Sequence, residues 1–184
     1  MKNLTRLLLV LLGLTGAAAQ AQTKFQTQAG TISFFSSTPI EDIAAKSTQA
    51  SAVVDAATGR LAFSVPIRSF AFRNGLMQEH FNENYLESEK YPKATFTGAV
   101  LGWNPALLAA AGPHAVQVEG NLTIHGVTHR VRVPGTLEQQ GTRLLLNARF
   151  SVQPADYHIE IPALVRDHIA KTVEVNVAAN CLGQ

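Results

Sequence analysis

FAFRNGLMQEHFNENYLESEKYPKATFTG, residues 70–98, carries the one convincing helical period of the chain, set between stretches that alternate like strands. At about 100° per residue, Met77, Phe81 and Tyr85 fall in one i, i+4 row with Leu76 beside it. Glu79, Glu83 and Glu87 form a second row on the opposite face. Like charges stacked four apart cost a little helix stability, so this row reads as a solvated face. Asn74 can cap the start, and Pro92 bars continuation. Ala94-Thr95-Phe96-Thr97 then resumes an extended pattern. The expectation is one amphipathic helix packed on a sheet, closing one side or end of it.

Working outward, residues 31–36 set Ile32 and Phe34 against Thr31, Ser33 and Phe35 and predict a strand. Residues 22–29 are polar and without period, and 39–45 fits either an irregular strand edge or a short helical turn. Residues 51–55 and 60–66 flank Ala56-Ala57-Thr58-Gly59 and predict a hairpin whose second arm puts Leu61, Phe63 and Val65 on one face. Residues 69–72 lead into the helix. Beyond it, 94–102 reads as a strand, and Trp103-Asn104-Pro105 starts a turn that Gly112-Pro113 ends. Val116, Val118, Leu122 and Ile124 alternate with polar neighbours, His125-Gly126 turns, and Val127, Val131 and Val133 return inward. Gln139-Gln140-Gly141 is another tight turn before 142–152, and 172–179 is the last strand. About eight short strands with turn signals between them predict a mainly β, antiparallel barrel or sandwich carrying one amphipathic helix.

The chain opens with Lys2 and Arg6, an apolar run over 7–14, and Ala19-Gln20-Ala21. That is the order of a secretory signal peptide over residues 1–21, cut after Ala21 or Ala19. The apolar run is too short for a membrane span. The expected product, residues 22–184, is one exported domain, periplasmic or secreted. Loss of Lys2 and Arg6 takes the 15 basic residues to 13, against 13 acidic ones, so the basic balance of the whole chain points to no nucleic-acid partner. Cys181 is the only cysteine, which excludes an intrachain disulfide and a cysteine metal site.

Catalytic and metal motifs are missing. His125 and His129 have a helical ligand spacing, but the valines and threonines around them say strand, where four residues span about 13 Å, too far to share one ion. No G-x-S-x-G or glycine-rich phosphate loop occurs, and Cys181 has no evident histidine partner. Asp167-His168 reads as a solvated loop pair. No cofactor, metal or catalysis is expected, and no partner protein is implied. His129 shares parity with Val127, Val131 and Val133, and His80 lies in the apolar arc of the helix. Each is either a core histidine bonded to backbone or a polar group in an apolar cavity.

Leu76-Met77, His80-Phe81 and Tyr91-Pro92-Lys93-Ala94-Thr95-Phe96, followed by Gly120-Asn121-Leu122-Thr123-Ile124-His125-Gly126-Val127-Thr128, resemble the YceI-like family of bacterial lipid- and polyisoprenoid-binding proteins. The resemblance covers about 31–179. It implies closure into an extended, lipocalin-like antiparallel β-barrel, a size that can hold one small ligand. It also implies an isoprenoid or fatty lipid ligand and a cavity lined by Phe70, Leu76, Met77, His80, Phe81, Tyr85, Phe96, Trp103 and His129. The alternatives are a structural or stress accessory protein whose barrel is filled by its own side chains, and a lipid-modifying enzyme, disfavoured by the missing nucleophile.

Overall fold

In the computed structural model, which describes residues 23–184, the cleanest alternation forms the hairpin it predicts. Strands β6 (His114–Ile124) and β7 (Val127–Gln140) pair without interruption from Ile124↔Val127 to His114↔Leu137. His125 and Gly126 adopt φ of 51° and 75°, the doubly positive backbone that a two-residue turn matching strand twist requires. The expected export signal lies outside the described residues.

The other strands are β1 (Lys24–Ser37), β2 (Asp42–Asp55), β3 (Arg60–Pro66), β4 (Ala71–Phe72), β5 (Lys93–Val100), β8 (Arg143–Val152) and β9 (Val173–Gly183). The order β1-β9-β8-β7-β6-β5-β3-β2, with β2 pairing back to β1, closes an eight-stranded antiparallel barrel. The two-residue β4 attaches to β2 through Ala45↔Phe72. Closure removes the free sheet edges an open sheet of these strands would present.

Strands β1, β2, β7 and β9 are longer than the sequence reading. The polar residues after Thr23 belong to β1, and 38–41 is neither strand nor helix but a tight turn. Thr38 Oγ1 accepts there from the N–H groups of Ile40 (3.2 Å) and Glu41 (3.0 Å), and β2 starts at once at Asp42. Helix α1 (Gly75–His80) is also shorter than the periodicity predicts and passes into a π-turn, Phe81–Tyr85. The N–H of Leu86 reaches back five residues to Phe81 O, at 2.9 Å. This widened turn carries Leu86 into the interior, where it is buried beside the predicted row.

Side chains fill one end of the barrel. Phe25, Val54, Leu137, Leu144 and Cys181 are essentially sealed from solvent there. Trp103, after β5, packs over Gly59 and donates its Nε1–H to Ala56 O at 3.0 Å. The other end stays open under α1. Pairing between β7 and β8 runs only from Gln140↔Arg143 to Gly135↔Ala148, so Val127–Pro134 and Arg149–Val152 diverge toward that end. The 3-10 turn Pro154–Tyr157 bridges this gap.

A candidate ligand cavity beneath the helix

The open half of the barrel encloses a cavity of about 490 Å³, within the range of small-molecule sites. Leu61, Leu137 and Leu146 form its floor, Val118, Val133, Phe150 and Val175 are among its walls, and Glu41, Asn74, Leu76, His80 and His168 stand at its mouth. Apolar side chains that cannot reach one another across a barrel leave such a space when the wall residues are small or β-branched.

The helix is fixed over the mouth from both ends. Asn74 Oδ1 accepts from the Leu76 N–H at 2.9 Å, as expected of a cap, and Gln78 Oε1 accepts from the Phe72 N–H at 3.2 Å. Phe81 stacks on Phe34 (centroids 5.4 Å) and meets Phe70 (5.7 Å) and Phe72 (5.0 Å) at steep angles. Such ring pairs add about 0.5–1.5 kcal/mol each beyond area burial. Phe96 lies along the sheet over the facing pair Gly98↔Gly120. A Cβ on either glycine would come within 2.8 or 2.7 Å of Phe96 Cζ, so the glycines form the shelf for this ring.

Of the nine residues expected at the cavity, Phe70, Leu76, Met77, His80, Phe81, Tyr85 and Phe96 line it. Trp103 does not; it sits at the filled end. His129 does not either, although its cross-strand partner Leu122 is inward-facing and buried. At this height Tyr157 stands between: it is buried, lines the cavity, and meets the His129 ring edge-on at 5.1 Å. His129 is exposed and donates its Nε2–H to Asp156 O at 2.8 Å. Burial, and secondarily the charge of Asp156, pushes the Tyr157 phenol up from its ordinary value, so it stays neutral.

The acidic stripe also needs correction. Glu79 and Glu83 are exposed, but Glu87 turns away with φ of 42° and its Oε2 lies 2.7 Å from His125 Nε2. The other ring nitrogen of His125 lies 3.1 Å from Tyr157 O, and Tyr91 packs edge-on at 4.5 Å. The turn histidine thereby ties the helix exit, the β6–β7 turn and the segment after β8 together. His168 is not a bare loop residue: its Nδ1 lies 3.1 Å from Glu41 Oε2, and both line the mouth. No cluster of three or more His, Cys, Asp or Glu suited to a metal ion occurs among the described residues.

The model of the YceI-like domain matches residues 15–181. The chain belongs to the YceI-like family. Solved structures share the YceI-like barrel at low identity. A polyisoprenoid binding domain from Saccharophagus degradans implicated in plant cell wall breakdown is 18% identical, covers 89% of this chain and 99% of its own, and superposes with a TM-score of 0.75. BcnA of Burkholderia cenocepacia is 19% identical over 83% of this chain and 95% of its own, with a TM-score of 0.68. The YceI protein of Campylobacter jejuni gives 16%, 74%, 82% and 0.59 for the same quantities. No curated protein sequence matches the chain. In this YceI-like chain the lining residues that sequence reading missed include Ile159, Ile161, Val165 and His168 from 153–172, and Glu41 and Ile43 from 38–43. Neither stretch has a period of its own. Only the tertiary path brings them to the mouth.

Proposed function

We propose that this protein is an exported, non-catalytic binding protein that holds one hydrophobic amphiphile, an isoprenoid or fatty lipid, with its tail in the barrel and its polar end at the mouth under α1. The observation that carries this reading is the apolar cavity of about 490 Å³, floored by leucines and rimmed by Glu41, Asn74, His80 and His168. A predominantly apolar lining with its carboxylate and imidazole groups gathered at the rim suits an amphiphile rather than a uniformly polar solute. Membership of the YceI-like family and the polyisoprenoid binding domain among the similar structures support the ligand class. Export rests on Lys2, Arg6, the apolar run over 7–14 and Ala19-Gln20-Ala21.

Native mass spectrometry and organic extraction of protein purified without detergent test the reading. A lipid should co-purify in about one equivalent, or be taken up by the empty barrel from added isoprenoid. A protein that neither retains nor takes up any lipid belongs to the filled-barrel alternative. Intact mass of protein from the cell envelope or medium should begin at Gln22 or Gln20; full-length chain confined to the cytoplasm would sink the export part alone.

A further inference from the structure

Large apolar side chains left in solvent at the open end of the barrel form a collar around its mouth. Leu164 is 91% exposed on the turn Ala163–His168, Ile40 59% on the 38–41 turn, Leu76 58% in the first turn of α1, and Phe35 41% near the end of β1. Two of these segments are joined to each other and to β1: His168 Nδ1 lies 3.1 Å from Glu41 Oε2, and the Ala170 N–H donates to Ser36 Oγ at 2.9 Å. The collar is also continuous with the cavity. Leu76 belongs to both, and Phe34, Ser36, Glu41 and Val165, each next in sequence to a collar residue, line the interior. The filled end exposes Val53, Leu101 and Leu182, but their sequence neighbours line no cavity. Apolar side chains gathered at an opening mark a surface that something covers.

Charge at the mouth decides what that is. Residues 38–42, 73–83 and 159–171 carry Glu41, Asp42, Glu79, Glu83, Glu160 and Asp167 against Arg73, Arg166 and Lys171. A second copy seated mouth to mouth would set this acidic excess against itself, and an anionic lipid surface would be repelled as well. A zwitterionic bilayer has no net charge, takes scattered apolar side chains into its interface, and lets an amphiphile reach the cavity without crossing water. Resting on the binding function proposed above, we propose that the mouth end docks on a zwitterionic lipid bilayer through Ile40, Leu76 and Leu164, with Phe35 at the edge of the contact. The amphiphile then exchanges directly between membrane and cavity. The contact is apolar rather than electrostatic, so it responds to the loss of these side chains and hardly at all to salt.

The test is co-sedimentation of the purified protein with sucrose-loaded phosphatidylcholine vesicles. The wild type should bind them, and raising the salt about tenfold should change its partitioning by less than about twofold. Phosphatidylglycerol mixed into the vesicles should weaken binding, the reverse of a basic docking face. Ile40→Ser/Leu164→Ser should lower the partition coefficient at least about tenfold. Neither side chain lines the cavity, so this variant should keep its affinity for a neutral naphthylamine within about twofold of wild type. Val53→Ser/Leu182→Ser removes as many exposed apolar side chains from the filled end and should leave partitioning unchanged. Circular dichroism checks that both variants are folded. A wild type that ignores the vesicles yet takes up dispersed geranylgeraniol overturns the docking alone. Equal loss in the two variants also overturns it, as does a dimer that Ile40→Ser/Leu164→Ser dissociates, since a second copy would then cover the collar. Absence of lipid uptake in any form overturns the binding function itself, and this inference falls with it.

Discussion

Truncating Phe81 and truncating Leu144 should have opposite signatures, because the two side chains belong to opposite ends of one barrel. Leu144 is fully buried in the filled end among Phe25, Leu137 and Cys181. Leu144→Ala opens a new hole in close-packed surroundings and should cost about 3–5 kcal/mol. Phe81 is half-buried: it packs against Phe34, Phe70 and Phe72 on one side and borders the cavity on the other. Phe81→Ala therefore enlarges a space that already exists, and the cavity penalty is largely absent. About two-thirds of the roughly 150–250 Å² an aromatic ring buries, some 130 Å², is worth about 3 kcal/mol at about 25 cal/mol/Å². The expected loss is about 3 kcal/mol, at the low end of the range for Leu144→Ala. Binding should respond the other way. Phe81→Ala should weaken lipid retention by at least about tenfold, and Leu144→Ala should leave the folded fraction binding as wild type does. Urea denaturation followed by circular dichroism gives the stabilities, and displacement of a neutral naphthylamine gives the affinities. If Phe81→Ala loses as much stability as Leu144→Ala while its folded fraction binds normally, α1 is a structural strap and not part of the site.

Three further outcomes follow from the geometry. Cys181 is sealed at the filled end and burial pushes its thiol up to about 11, so it should ignore thiol reagents in the native protein and react on unfolding. The raised value means that the folded state keeps a proton the unfolded chain releases above about pH 9, so stability should fall between about pH 9 and 11, by on the order of 2 kcal/mol, and Cys181→Ala should remove that slope in denaturant titrations. Trp103 lies outside the cavity with its Nε1–H bonded to Ala56 O, so its emission should not move on ligand binding. His125→Ala unties Glu87 and Tyr157 O together and should cost about 1–3 kcal/mol, with hydrogen exchange rising selectively over 81–91 and 153–158.

What could be read from the sequence, and what could not, divides along a physical line. Strands β6, β7 and β9 alternate branched aliphatics with polar residues, and their period survives whatever the barrel does next. Strand β2 buries Ala45, Ser47, Ala50, Ala52 and Val54 instead. These are small residues with little hydropathy contrast, and the inward parity switches between Ser47 and Ala50, opposite the register shift at Gly30 of β1. A period-2 reading of this segment has neither amplitude nor constant phase, so only its last five residues looked like a strand. The cavity lining failed in a related way. Parity placed His129 on the correct face of β7, but it says nothing about how far the cavity runs along that face, and Tyr157 from a distant turn ends it short of His129. The α-helical row from Met77 to Tyr85 was legible because each turn of the helix itself supplies a lining residue, and Leu86 escaped because a π-turn shifts the phase. The rim is the least legible part, since Glu41 and His168 stand 127 residues apart in segments without period. Under the proposed function it is also the part that a head group would meet. In this barrel the wall could be argued from local pattern, whereas the rim is built from contacts that only closure of the barrel creates.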